Sequence, residues 1–382
     1  MDYYCSAKFT DLQVHVQSRL LYNCCNAWPE RINLDWLEAN PGKLFYTDTM
    51  LEDRKTMLED KSCKSCHYGC YKYEEKNLSS KRLEIRNPEY INDPMAPLRN
   101  LSISLSTDCN LTCMYCGPEF SSSWQKDIEK NGDYQLSGSK LQNDNWAKLW
   151  SKMKQKSRST ETKFLRLLLK EISMANHITE LSLLGGEPLL HNGIAKIIDS
   201  AEDKKITITS GLGISANRLS NFLEKFKERK IKFILSAEAT GRYFELLRYG
   251  HTWSDFQHRV KMLEDSNNEI EFTSVISNIS SLDFINFYEV FKRYPIRTNP
   301  LTERPHMMPH VLDDNSKKQV LEQMNRHRDD PQVNKFIKSI ETDPTATERA
   351  DISNYLKDFS KRRSIDLEFL PESFKNWCGI VS

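Results

Sequence analysis

The chain has 382 residues, long for a single domain, and its 38% hydrophobic and 28% charged residues suit a folded core under an ordinary polar surface. Its 54 lysines and arginines balance 53 acidic residues, which excludes the basic excess of a dedicated nucleic-acid binder. No apolar run reaches the length of a membrane span, and Met1-Asp-Tyr-Tyr-Cys5 lacks the basic-then-apolar layout of a secretory signal. The expected setting is the cytoplasm, where the ten cysteines stay reduced and metal ligation is a better use for them than disulfides.

Residues 1–96 hold six of those cysteines and little sustained periodicity, which predicts a small metal-organised domain rather than an independent core. Cys5, Cys24 and Cys25 come first, then Cys63, Cys66 and Cys70 in a Cys-x2-Cys-x3-Cys run. Packing alone does not account for so many thiols, and either an iron–sulfur cluster or zinc would. Asn92-Asp-Pro-Met-Ala-Pro97 reads as the linker leaving this domain.

From residue 97 to 300, apolar runs recur at Leu101–Leu105, Leu181–Leu184, Ile206–Thr209, Phe233–Ser236, Ile270–Ile276 and Ile296–Leu301. Helix-like stretches at 143–176, 191–203, 215–229, 253–266 and 281–293 separate them. Strand and helix in alternation predict a parallel sheet with right-handed crossovers. Six strands are too few for a closed eight-stranded barrel, so the expected fold is α/β, a partial (β/α)6 barrel with its chemistry on the loops after the strands. Residues 301–382 carry helical patterns near 314–328 and 346–361, read as an extension that packs on the barrel.

Two motifs sit on such loops. Cys109, Cys113 and Cys116 follow the first run, and Gly185-Gly186-Glu187-Pro188 follows the second. Three thiolates in one short loop can hold three irons of a four-iron cluster and leave the fourth iron open. The plainer readings are a zinc site whose fourth ligand lies elsewhere, or structural thiols. His306 and His310 are four apart, but Pro309 argues against a helix there, so both are read as structural. The basic groups Lys152, Lys154, Lys156, Arg158 and Lys361-Arg362-Arg363 are read as solvated faces, Trp253 as helix-start packing, and Cys25 and Cys378 as ordinary thiols.

The motif text resembles the radical SAM superfamily, and more narrowly its members with a twitch (half-SPASM) domain, including those encoded by tailed phages. The matching residues are Cys109-Asn-Leu-Thr-Cys113-Met-Tyr-Cys116-Gly-Pro, Ser121-Ser-Ser-Trp124, Leu184-Gly-Gly-Glu-Pro-Leu189, Ser236-Ala-Glu238, Arg248-Tyr-Gly250 and Trp253. Cys24-Cys25 and Cys70-x4-Glu75-x4-Ser80-x-Arg82 resemble the cluster domain that precedes the barrel in such proteins.

The resemblance implies that Cys109, Cys113 and Cys116 ligate a catalytic [4Fe–4S] cluster whose open iron takes the amine and carboxylate of S-adenosylmethionine (SAM). Gly185, Gly186, Glu187 and Pro188 match the loop that binds the SAM amine, and Tyr115 would lie near the adenine. Ser210, Ser236 and Glu238 would meet the ribose or the methionine carboxylate, and Arg248 a SAM or substrate carboxylate. Two departures stand out: Glu238-Ala239 replaces the usual Asp-Gly, and Thr209-Ser210-Gly211 replaces Thr-Asn-Gly. An auxiliary [4Fe–4S] cluster is also implied, with Cys5, Cys24, Cys63, Cys66 and Cys70 as candidate ligands. His67 stands where the family has a cysteine three residues before Cys70.

The implied activity is reductive cleavage of SAM and abstraction of a hydrogen atom from a substrate, most often a peptide or protein. An external one-electron donor such as flavodoxin or ferredoxin would feed it, in the host cytoplasm if the protein is phage-encoded. Two other classes are a small-molecule radical dehydrogenase and a non-catalytic iron–sulfur or zinc protein. The intact Gly185–Pro188 loop speaks against the last.

Overall fold

The computed structural model describes residues 3–24, 26–67, 69–75, 80–84, 90–137 and 158–380. Cys25, residues 143–157 of the helical stretch expected over 143–176, and Lys152, Lys154 and Lys156 lie outside the described residues. Two compact units form, one from Met1–Ser106 and Ser151–Ile208, the other from Thr107–Trp150 and Thr209–Ser382.

The first unit contains strands β1 (Asp11–His15), β2 (Leu20–Tyr22), β3 (Glu30–Arg31), β4 (Asn100–Ser104), β5 (Glu180–Leu184) and β6 (Lys205–Ser210), in the order β3-β2-β1-β4-β5-β6. β1, β4, β5 and β6 are parallel neighbours, whereas β2 and β3 pair antiparallel at the edge. Strand residues alternate in which face they present, so in-register pairing lines apolar side chains into rows. Leu12, Leu101, Leu181 and Ile206 make one row, and Val14, Ile103, Leu183 and Ile208 the next. Each of the eight is at most 2% exposed, so this face of the sheet is fully covered. The helix Arg158–Met174 buries Phe164, Leu167, Leu168 and Ile172, a helical spacing, and its Glu171 accepts the Gly42 and Leu44 amides.

The second unit holds β7 (Ile231–Ser236), β8 (Glu269–Ile276) and β9 (Ile296–Pro300), all parallel. Phe272 of β8 packs against Phe287, Phe291 and Tyr294 with ring centroids 5.5, 4.4 and 5.6 Å away. Helices Ala216–Lys225, Trp253–Glu264 and Phe284–Phe291 form inside the stretches expected to be helical. Asp314–Asn325 does so in the C-terminal part, and Ala346–Arg363 runs two residues past the expected 346–361. The six expected strands are β4 to β9, and the fold is α/β with the repeated parallel strand–helix order of a partial barrel. The three strands β1 to β3 and the helices Ser122–Asn131, Gly241–Leu247 and Pro331–Ile340 go beyond the expected elements. Among the described residues no helix is long and apolar enough to cross a membrane.

His306 lies in the short 3-10 helix Pro305–Met307, not in an α-helix. It is wholly buried, its ring meets Tyr355 edge-on at 5.0 Å, and neither ring nitrogen has a partner among the described residues. Burial first, then the Arg304 charge, pushes its pKa down to about 4. The unfolded chain therefore takes a proton near pH 6.5 that the folded chain refuses until about pH 4, so stability is lost as pH falls through that window. The loss reaches about 3 kcal/mol by pH 4, because each tenfold difference in proton affinity is worth roughly 1.4 kcal/mol. His306→Leu, close in volume, should flatten that slope. Thermal unfolding at pH 7 and pH 4.5 checks this, with a smaller acid loss expected in the variant than in the wild type.

Candidate active site

The cysteine loop belongs to the second unit, and its backbone is held by partners distant in sequence. Thr112 and Met114 donate their amides to the carbonyls of Tyr249 and Leu247, 3.0 and 2.9 Å away, so the loop runs alongside the end of helix Gly241–Leu247. Its own carbonyls are taken by side chains. Ser122 and Ser123 hydroxyls donate to Cys109 O, and the Ser121 hydroxyl donates to Leu111 O at 2.7 Å. The Trp124 indole N–H donates to Cys113 O at 2.9 Å. The Tyr355 hydroxyl donates to Met114 O at 2.6 Å, and Arg304 Nε donates to Tyr115 O at 2.8 Å. Ser121 also caps the helix Ser122–Asn131 by accepting from the Trp124 amide. The Ser121-Ser-Ser-Trp124 text thus has a physical reason: it ties the loop to the first turn of the next helix.

With the carbonyls engaged, the loop presents three thiols that form no disulfide. Burial first, then Cys113 and Cys109, drives the Cys116 thiol well above its ordinary range, against the pull of Arg304. Thiols that suppress one another's ionisation in this way are stable as thiolates only when a cation or cluster takes up their charge. Among the described residues, no three His, Cys, Asp or Glu gather into the tight shell of a single metal ion, whose donors stand about 2–2.3 Å from it. A four-iron cluster asks for a different donor set, one thiolate per iron. Three thiols on one loop are the number that three of those irons would require.

Half-buried Tyr115 of the loop forms a network with the buried Glu238 and Arg248. The Tyr115 hydroxyl donates to Glu238 Oε1 at 2.9 Å, and Arg248 Nη2 reaches Glu238 Oε2 at 2.7 Å and the Tyr115 hydroxyl at 2.5 Å. Arg248 Nη1 lies 4.0 Å from Cys113 Sγ. Burial alone would lower the Arg248 pKa, but the Glu238 carboxylate and Tyr115 outweigh it and keep the guanidinium charged. Gly211 leaves room for that guanidinium, since a Cβ there would come within 3.3 Å of Nη1. Ser210 is buried and its hydroxyl accepts the Leu212 amide at 2.8 Å, while Ser236 closes β7 half-buried.

In the first unit, Gly185 has φ +151°, and a Cβ on it would stand 2.9 Å from the Ser106 carbonyl oxygen. The same oxygen accepts the Gly186 amide at 2.9 Å. A side chain at Gly185 would break that contact, which explains the glycine. Glu187 is buried and accepts the Leu189 amide at 3.2 Å, opening the turn Pro188–Leu190.

The first unit also holds the second cysteine group. Cys5, Cys24, Cys63, Cys66 and Cys70 are all buried, the first four within one apolar cluster with Phe9, Met57 and Tyr71. Cys24 and Cys70 share a donor: the Asn26 amide lies 3.5 Å from Cys24 Sγ and Asn26 Nδ2 lies 3.9 Å from Cys70 Sγ. Lys8, wholly buried, reaches Asn23, Asp53 and Ser65. Burial pushes the Cys5 thiol up to about 12, with Cys24 and Cys66 adding to it.

Of Lys361-Arg362-Arg363, read as a solvated face, only Lys361 is exposed, and the other two need correction. Arg362 and Arg363 side chains are 7% and 4% exposed, both pair with Asp127, and Arg363 Nε donates to Thr112 Oγ1 at 3.1 Å. Apart from Asp358, four residues before Arg362, the polar partners named here lie 229 or more residues away in the chain, so a local charge run could not show this burial. Arg304 and Tyr355 carry no sequence signal for the same reason. Trp253 packs at the start of its helix against Phe244 and Phe256, and Cys378 is buried, as expected.

Removing one member of a buried ion pair strands the other, at a cost of about 3–5 kcal/mol. Glu238→Gln should destabilise the chain by that order in urea unfolding, and a loss under about 1 kcal/mol would show that the pair contributes little.

No family model and no curated protein matches the sequence. Among solved structures the chain is similar to native anSMEcpe with bound AdoMet, with 15% identity and a TM-score of 0.41 over 60% of each chain. It is similar to native anSMEcpe with bound AdoMet and Cp18Cys peptide at 13% identity and a TM-score of 0.39, over 65% of this chain and 63% of that one. A third is Streptococcus suis SuiB bound to its precursor peptide SuiA, at 16% identity and a TM-score of 0.37, over 94% of this chain and 70% of that one. The chain spans about 60% of the length of the first of these. Likeness at such scores carries neither fold nor activity across to this chain.

Proposed function

We propose that the protein is a radical SAM enzyme that acts on a peptide or protein substrate. The observation that carries this reading is the cysteine loop itself: its backbone carbonyls and amides are fixed by outside partners, and three unbridged thiols remain. Cys109, Cys113 and Cys116 would hold a [4Fe–4S] cluster. A cluster held by these three residues would supply one-electron reduction of SAM, the chemistry needed to open a substrate C–H bond.

The chain's own residues bind and orient. Gly185, Gly186, Glu187 and Pro188 would serve the SAM amine. Gly186 already spends its amide on Ser106 and Glu187 its carboxylate on Leu189, so the loop's shape is set before any ligand arrives. Tyr115, Glu238 and Arg248 form one charged, hydrogen-bonded unit, and we assign it to the nucleoside and carboxylate end of SAM, together with Ser210 and Ser236. Arg248 beside Cys113 also offsets thiolate charge. Cys5, Cys24, Cys63, Cys66 and Cys70 are the candidate ligands of an auxiliary [4Fe–4S] cluster. We place the enzyme in the cytoplasm, served by an external one-electron donor of the flavodoxin or ferredoxin kind.

Anaerobic reconstitution tests both clusters. The wild type should bind about eight irons and a Cys109/Cys113/Cys116→Ala variant about four, with formation of 5′-deoxyadenosine abolished. Undiminished SAM cleavage in the triple variant would overturn the assignment.

A further inference from the structure

We infer that Gln13, His15 and Tyr22, on β1 and β2, form a binding site for an uncharged amide group of the substrate. Such a site presupposes the peptide-modifying reading above and adds a contact for the substrate.

β1 and β2 lie outside the six strands of the barrel pattern, yet they extend the same sheet. Register carries one face of it across four parallel strands. Gln13, Ser102, Ser182 and Thr207 stand in one row of that face, and His15, Ser104 and Leu184 in the next. All seven are half-buried, whereas the opposite face is apolar and covered. A sheet face built to pack against protein carries apolar side chains; this one carries hydroxyls, an amide and an imidazole. Its charges are confined to the row at the strands' N-terminal ends, Asp11, Glu180 and Lys205, where Asn100 Nδ2 donates to Asp11 Oδ1 at 2.8 Å.

Tyr22 stands across from Gln13 in the antiparallel pair, and its ring centroid is 4.8 Å from that of His15. It is 4% exposed, and its hydroxyl has no partner among the described residues. The buried Ser18 hydroxyl, in the turn between β1 and β2, has none either. Buried polar atoms are nearly always paired, so an orphaned phenol on a polar face asks for a partner the chain does not supply.

Gln13 Nε2 lies 2.9 Å from His15 Nε2. An amide nitrogen only donates, so His15 Nε2 accepts and the ring proton sits on Nδ1. Burial pushes the His15 pKa down to about 4 and the Tyr22 phenol up, so both are neutral at pH 7. The three residues then offer Gln13 Oε1 as an acceptor, His15 Nδ1–H as a donor and the Tyr22 hydroxyl as either. An amide uses both kinds. A carboxylate only accepts, an ammonium only donates, and neither would meet a countercharge in these two rows.

Their place in the sheet suits a substrate contact. His15, Ser104 and Leu184 share a row, and Leu184 immediately precedes Gly185, where the loop assigned to SAM begins. Neighbouring strands are about 4.8 Å apart, which puts His15 roughly 10 Å across the sheet from that loop.

The test uses the full chain with its histidine rings labelled for nitrogen NMR at pH 7, the His15 signals being those missing in His15→Gln. They should show the Nδ1–H tautomer. The probe is N-acetylglycine methylamide, which should shift them saturably at millimolar concentrations, whereas acetate and methylammonium should not. Tyr22→Phe and Gln13→Met should each weaken the probe about fivefold, the loss of one neutral hydrogen bond. Tyr22→Phe should melt no lower than the wild type, because the hydroxyl it removes is unpaired in the free protein, and a purely structural role predicts the reverse. His15 signals that the probe leaves unmoved, equal shifts with acetate or methylammonium, or undiminished binding in both variants would overturn this inference alone, since none of these readouts needs a cluster or SAM. A wild type that forms no 5′-deoxyadenosine overturns the enzyme reading and leaves the amide site standing.

Discussion

Thiolates crowded into a low-dielectric loop repel one another, and that repulsion is the constraint around which the second unit is arranged. Burial first, then Cys113 and Cys109, pushes the Cys116 thiol well above its ordinary range. Pinning the loop's carbonyls with Trp124, Tyr355, Arg304 and the serines of 121–123 prevents the usual escape, in which the backbone rearranges and the sulfurs turn apart. Two arginines follow from the same need. Arg248 stands near Cys113, and Arg304 counters the thiol charge at Cys116 while gripping Tyr115 O. Each is buried and each has its own carboxylate, Glu238 or Glu119. The positive charge is thus held in place without being left unpaired.

In the first unit the thiols lie in an apolar cluster, and the buried cation there is one lysine, Lys8, with a full set of acceptors. Lysine concentrates its charge in a compact head that three neutral or anionic oxygens can surround, whereas arginine spreads it over a planar fork. The single ammonium suits a tight space between Asn23, Asp53 and Ser65. The planar guanidinium of Arg248 suits a site where one side faces a carboxylate and the other a sulfur.

What could be read from the sequence follows from the range of each interaction. The strands β4 to β9 were legible because alternation is local, and the cysteine and glycine motifs because each fits within a few residues of loop. The strands β1 to β3 were not, although Leu12 and Val14 alternate properly, because runs of 5, 3 and 2 residues carry little signal beside six cysteines. Helix Pro331–Ile340 had a readable start in Asp330-Pro331, where Asp330 accepts the Gln332 amide. The supports of the site were out of reach: Arg304 lies 189 residues from Tyr115 and Tyr355 lies 241 residues from Met114. Lys8 looks like any surface lysine until its three acceptors, gathered from positions 23, 53 and 65, surround it.

The Tyr355 grip on Met114 has a bearing on how the protein matures. A nascent chain that has just exposed its cysteine loop still lacks the helix Ala346–Arg363, and with it both Tyr355 and the Arg363 contact to Thr112. The loop therefore lacks these two contacts until that helix has joined the fold, so its backbone is fixed only after residues 346–363 are in place.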